Sequence, residues 1–156
     1  MEEQKMMAAT IALAAARLPK GEGGPFAALV VRDGQILGRG WNRVTSTNDP
    51  TAHAEVEAIR DACRRLANFS LEGATLFVNC EPCPMCLAAA YWAGIKAIYY
   101  AADRHDAAAI GFADLHIYQE LARPPAARAL PMHQLMREEA LPLFRQWEKM
   151  PDKIPY

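Results

Sequence analysis

The sequence predicts an α/β layered fold built on a mixed sheet. Three observations carry that expectation. Apolar Phe26–Val31 and Ile36–Trp41 flank an Asp33-Gly34 turn, which is a strong hairpin signal. Two further strand-like runs, Thr75–Asn79 and Lys96–Ala102, alternate with helix-like stretches. The chain has 156 residues, a length that suits one domain, and no repeat, low-complexity segment or linker divides it.

Each element has a local reason. Glu3 to Leu18 reads as an amphipathic helix, broken by Gly21–Gly24 and Pro25. Ser46–Thr51 is rich in turn and capping residues and leads into a helix from Ala52 to about Ala67. Pro84 suits a first helical position, so a second helix is expected from Cys83 to Ala93. Shorter helices and one more strand are expected after Ala102. The ending "KMPDKIPY" holds two prolines and cannot continue a helix.

Composition narrows the partners. Net charge is -1, with both signs spread along the chain. No basic stripe suggests nucleic acid or an anionic membrane, so a small, nearly neutral substrate fits better. The apolar run Met6–Ala16 is too short to span a bilayer, and "MEEQK" before it lacks the positive charge of a secretory leader. A cytoplasmic location without membrane attachment is expected. In a reducing compartment, closely spaced cysteines favour metal or catalysis over disulfides.

The cysteines sort by position. Cys63 falls on one helical face with Val56, Ile59 and Leu66 and reads as core. Cys80 shares a strand face with Leu76 and Val78 and also reads as core. Cys83 and Cys86 lie three apart in the opening turn of a helix, on the same side, where the helix dipole favours thiolates. Two ligands are too few, and no later cysteine completes a cluster. "DPTAHAEVEAIR" supplies the remainder: His53 and Glu55 sit at the start of the preceding helix, where both side chains reach a point beyond its end.

His53, Cys83 and Cys86 then hold one zinc ion per chain, with a fourth position open and Glu55 beside it. Bound zinc lowers the pKa of water from about 15.7 to about 7, a shift of about 12 kcal/mol towards hydroxide. Glu55 has only to move protons. His-Ala-Glu (53–55) followed by Pro-Cys-Pro-Met-Cys (82–86) matches the H-x-E…P-C-x-x-C signature of zinc deaminases.

On these residues the chain resembles the cytidine-deaminase superfamily of zinc-dependent deaminases. Through "GGPFAALVVRDG", "NDPTAHAEV", "GFAD" and a final tyrosine it is most similar to the bacterial guanine-deaminase branch. The resemblance implies a three-layer α/β/α domain over residues 1–156, a five-stranded mixed sheet and a homodimer. It implies hydrolysis of guanine to xanthine and ammonia: water activated on zinc attacks the amino-bearing carbon while Glu55 shuttles protons. By position in the family pattern, Phe26, Asn42, Ala54, Trp92, Asp114 and Tyr156 would meet the substrate. Asp114 would accept from guanine N–H groups or assist proton transfer. Tyr156, in a tail from about residue 149, would close a pocket of its own or of the neighbouring subunit.

The chain departs from the pattern at Ala27, where a second glycine is usual, and at Gly94-Ile95, where arginine and proline are usual. Guanosine, another aminopurine or an amino-triazine would suit the same chemistry. A tRNA adenosine deaminase is disfavoured by the missing basic surface. A zinc-stabilised interaction module would need a fourth protein ligand and no Glu55.

Overall fold

The computed structural model describes residues 1–156. A first helix, α1 (Glu2–Arg17), passes through a 3-10 turn at Leu18–Lys20 into strands β1 (Ala27–Arg32) and β2 (Gln35–Trp41). Asp33 and Gly34 between them have φ of 52° and 72°, the left-handed pair that a tight hairpin requires. A single turn, α2 (Val44–Thr47), leads to α3 (Ala54–Leu66), β3 (Thr75–Cys80), α4 (Pro84–Trp92) and β4 (Ala97–Ala102). Helices α5 (Arg104–Ala109), α6 (Leu115–Ala122) and α7 (Arg137–Lys149) follow, with a 3-10 turn at Pro125–Ala127. No helix is long and apolar enough to cross a membrane.

The sheet is mixed, in the order β2-β1-β3-β4. β1 pairs antiparallel with β2 and β3, while β3 pairs parallel with β4. It has four strands, not the five expected. The segment after α6 carries Pro124, Pro125 and Pro131, which lack ladder donors, and Met136 turns left-handed at φ 54° before α7. α7 stops at Lys149, ahead of Met150-Pro151.

Packing separates the chain into Met1–Tyr118 and Gln119–Tyr156. The first unit has three layers. Met6 of α1 packs with Leu29, Val31 and Phe77 on one sheet face. On the other face Ala28, Val30, Leu76 and Val78 meet Ala54, Ala58 and Ala62 of α3 and Ala90 of α4. Coverage on both faces explains why β1 reads as an unbroken apolar run. Thr10, fully buried in α1, satisfies its hydroxyl by donating to Met6 C=O at 2.8 Å. In the second unit, Glu120 pairs with Arg123 at 2.8 Å and accepts from Ala129 N–H at 2.6 Å.

The face of α3 turned to the sheet is not the one the aliphatic residues suggest. Ala54, Ala58 and Ala62 are buried, Ile59 and Cys63 only partly so, and Leu66 is 37% exposed. The reason lies on β2. A Cβ at Gly38 would stand 2.5 Å from Ala58 C=O, and one at Gly40 would overlap the Ala54 carbonyl oxygen and the Ala58 nitrogen. Helix and strand therefore touch backbone to backbone, and only alanine fits the seam. Gly40→Ala is expected to cost about 3 kcal/mol, because it meets main chain that cannot rotate aside. In thermal unfolding the midpoint should fall by about 8 °C.

Both departures from the family pattern are accommodated. Alternation puts Ala27 on the α1 side with Leu29 and Val31. Gly94, at φ 73°, ends α4 in the left-handed conformation that glycine favours, and Ile95 packs against the core.

Candidate active site

The starts of α3 and α4 converge. His53 and Cys83 occupy the N-cap positions, with extended backbone (ψ 154° and 167°), and their carbonyls accept the first helical bonds from Glu57 and Leu87, both at 2.9 Å. Neither side chain caps its own helix, so both are free to turn towards a shared point. His53 Nδ1 lies 3.5 Å from the sulfurs of both Cys83 and Cys86. The three donor atoms all fall within 4.8 Å of one another.

These spacings fit zinc. Bonds of about 2.3 Å to sulfur and about 2.05 Å to nitrogen, at a tetrahedral angle, place S and N about 3.6 Å apart. The protonation pattern fits as well. A hydrogen bond from Cys86, aided by His53, holds the Cys83 thiol down to about 4. As donor to Cys83, and buried beside Glu55, Cys86 is pushed the other way. The pair thus shares a proton where a divalent cation would replace it. The hydrogen bond to Cys83 raises His53 despite burial.

Glu55 stands in the first turn of α3 and is only 8% exposed. Burial raises its carboxyl above the ordinary range. It lines a cavity of about 470 Å³ together with His53, Cys83, Phe26, Asn42, Ala54 and Asp114. One Asp114 oxygen, Oδ1, is buried without a partner, and burial, reinforced by the Cys83 charge, raises this carboxyl too. Asn42 Oδ1 accepts from Gly24 and Val44 N–H at 3.3 and 3.1 Å, which fixes the orientation of its amide. Phe26 meets Phe112 edge to face, with ring centroids 4.9 Å apart.

Trp92 and Tyr156, the other two expected substrate contacts, are both exposed. Trp92 does not line the cavity; it ends α4 and is 73% exposed. Six residues beyond Cys86 the helix has turned through most of two turns, so Ala90 and Ala93 follow the buried side and Trp92 does not. Tyr156 belongs to the second unit and is 85% exposed.

Cys80 is buried in β3 as expected, but it also lines the cavity. Burial pushes its thiol up to about 11, so it stays protonated, donating to Asp103 C=O at 3.7 Å, and is not in the ligand cluster. His105, His116 and His133 are exposed.

Other cavity neighbours were not singled out from the sequence. Glu81 receives Arg104 twice, at 2.6 and 3.1 Å, and Arg104 stacks 3.9 Å over the ring of Tyr118. Tyr118 in turn donates to Pro82 C=O at 2.6 Å, next to Cys83. This chain of contacts ties the Asp114 loop to the metal-ligand loop. Only the closeness of Glu81 and Pro82 to the cysteines hinted at it.

The two-helix, three-donor arrangement and the layered sheet define a class. The chain belongs to the cytidine and deoxycytidylate deaminase zinc-binding family, whose profile matches residues 1–102. Within that class it is 45% identical to the guanine deaminase of Bacillus subtilis (strain 168) over 156 residues, 100% of both chains. The X-ray structure of guanine deaminase from Bacillus subtilis superposes with a TM-score of 0.94, covering 98% of each chain. A tRNA-specific adenosine deaminase of Agrobacterium fabrum is 47% identical over 79 residues, which is 51% of this chain and 52% of that one.

Proposed function

We propose that this chain hydrolyses the 2-amino group of guanine, releasing xanthine and ammonia. The observation that carries the reading is a buried carboxyl, Glu55, lining one cavity with His53 and Cys83, two of a cluster of three zinc donors completed by Cys86. Similarity to the Bacillus subtilis enzyme along the whole chain supports guanine as the base.

When bound, zinc supplies a Lewis acid at which water loses its proton near neutral pH. Glu55 accepts that proton and delivers it to the ring nitrogen beside C2. The water oxygen bonds to C2. Glu55 then takes the second proton of that oxygen and passes it to the 2-amino group, so that the C2–N2 bond breaks, ammonia leaves and the oxygen stays as the new carbonyl of xanthine. Asp114, whose Oδ1 has no protein partner, accepts from a ring N–H. The Asn42 amide donates to a purine acceptor, the Ala54 segment packs beside the base, and Phe26 gives it an aromatic wall.

In the same reading residues 1–156 act as one domain in a cytoplasmic homodimer, with Tyr156 closing a pocket of its own or of the neighbouring subunit. Exposed Tyr91 and Trp92 at the end of α4 offer such a dimer an apolar face. Ammonia release should be measured across guanine, guanosine, adenine, cytosine and amino-triazines. Guanine is expected to turn over fastest. If guanine is inert and another compound reacts, the substrate is wrong while the metal site stands.

A further inference from the structure

Asn79 stands where β1 and β3 part. The antiparallel register pairs Ala28 with Val78. Beyond that pair the ladder ends, and Phe26, just before β1, and Cys80, the last residue of β3, both line the cavity. There the Asn79 side chain takes over the pairing. Its Oδ1 accepts from Ala27 N–H at 2.8 Å, and its Nδ2 donates to Pro25 C=O at 2.8 Å. The two bonds straddle Phe26.

We propose that Asn79 is a positioning residue: it holds β1 and β3 a side chain's length apart at the cavity and fixes Phe26 as the wall on which the purine stacks. This rests on the purine reading given above. An amide is required, because one bond needs an acceptor and the other a donor from one short, planar group. Aspartate offers only acceptors and alanine neither. The approach to Phe26 needs such a tie. Gly21, Gly23 and Gly24 precede it, and glycine leaves the backbone with the widest conformational freedom. On the other side Gly24 N–H donates to Asn42 Oδ1 at 3.3 Å and its C=O accepts from Phe26 N–H at 2.8 Å, while Phe26 C=O accepts from Asn42 N–H at 3.0 Å, so Asn79 supplies the tie on the β3 side. Phe26 also sets Phe112 through their edge contact, so a loosened Phe26 disturbs two faces of the cavity.

The test is a double-mutant cycle with Phe26→Ala on zinc-loaded protein, after wild type has been shown to turn over guanine or another base of the panel. Inert wild type would sink the substrate reading and not this one, in which case the cycle is read by calorimetric binding of guanine. Asn79→Ala is expected to lower kcat/KM about tenfold, the loss of two ordinary hydrogen bonds, almost wholly through KM. Zinc content should stay unchanged. In a Phe26→Ala background the same change should cost less than about twofold, because the wall it holds is already gone. Asn79→Asp keeps the bond from Ala27 N–H, loses the one to Pro25 and should fall in between. Independent losses in the two backgrounds, or a fall in kcat with KM unmoved, would overturn the proposal. So would failure of both Asn79 variants to fold, since Asn79 would then support the sheet and not the wall.

Discussion

Glu55→Gln is expected to lower kcat at least about 10²-fold, and as much as about 10⁴-fold, with zinc content unchanged. That is a rise of about 3 to 5 kcal/mol in the barrier. Glutamine has the size and shape of glutamate, so a buried site only 8% exposed is neither emptied nor overfilled. What disappears is the capacity to carry two protons from the attacking oxygen in one turnover, the first to the ring nitrogen and the second to the leaving amine. The three donors that would hold the metal are untouched, which separates proton transfer from metal binding. Steady-state kinetics beside elemental analysis for zinc decides the matter. A variant with near-normal turnover would remove Glu55 from the chemistry and overturn the proton-transfer mechanism.

Cys83→Ser should instead abolish metal retention, leaving less than about a tenth of an equivalent of zinc after dialysis against a chelator, with activity lost in parallel. Serine cannot supply a thiolate, and His53 with Cys86 alone is one donor short of a site that holds zinc. The substitution is a clean probe because Cys83 is the N-cap of α4, a position where serine is among the preferred residues. Pro84 still opens the helix, and circular dichroism should match wild type. A variant that kept full zinc would show that the ion sits elsewhere.

Much of this was legible in the chain. His53, Glu55, Cys83 and Cys86 announce themselves because metal chemistry restricts residue type and because turn residues and Pro84 mark the helix starts that bring them together. The hairpin is equally plain, since Asp33-Gly34 suits few other backbone shapes. Other features depend on what lies across the fold. Of Val56, Ile59, Cys63 and Leu66 on α3, Ile59 and Cys63 pack at the edge of the core and Leu66 is exposed, because apolar size is a poor guide where glycines on β2 admit only alanine. Trp92, which the family pattern places at the substrate, stands exposed at the end of α4. The missing fifth strand reflects prolines whose effect on pairing outweighs the apolar residues between them. Asn79 gave no signal at all, because a side chain bridging two strands has meaning only once their register is known.

The seam between α3 and β2 has a bearing on how such an enzyme can be retargeted. Main chain rests on main chain there, so no larger or smaller side chain can be swapped in to tilt the helix that carries His53 and Glu55. Variation aimed at a new base belongs in the segments around Gly24–Phe26 and Gly111–Asp114, and a library that randomises Gly38 or Gly40 should return mostly inactive clones.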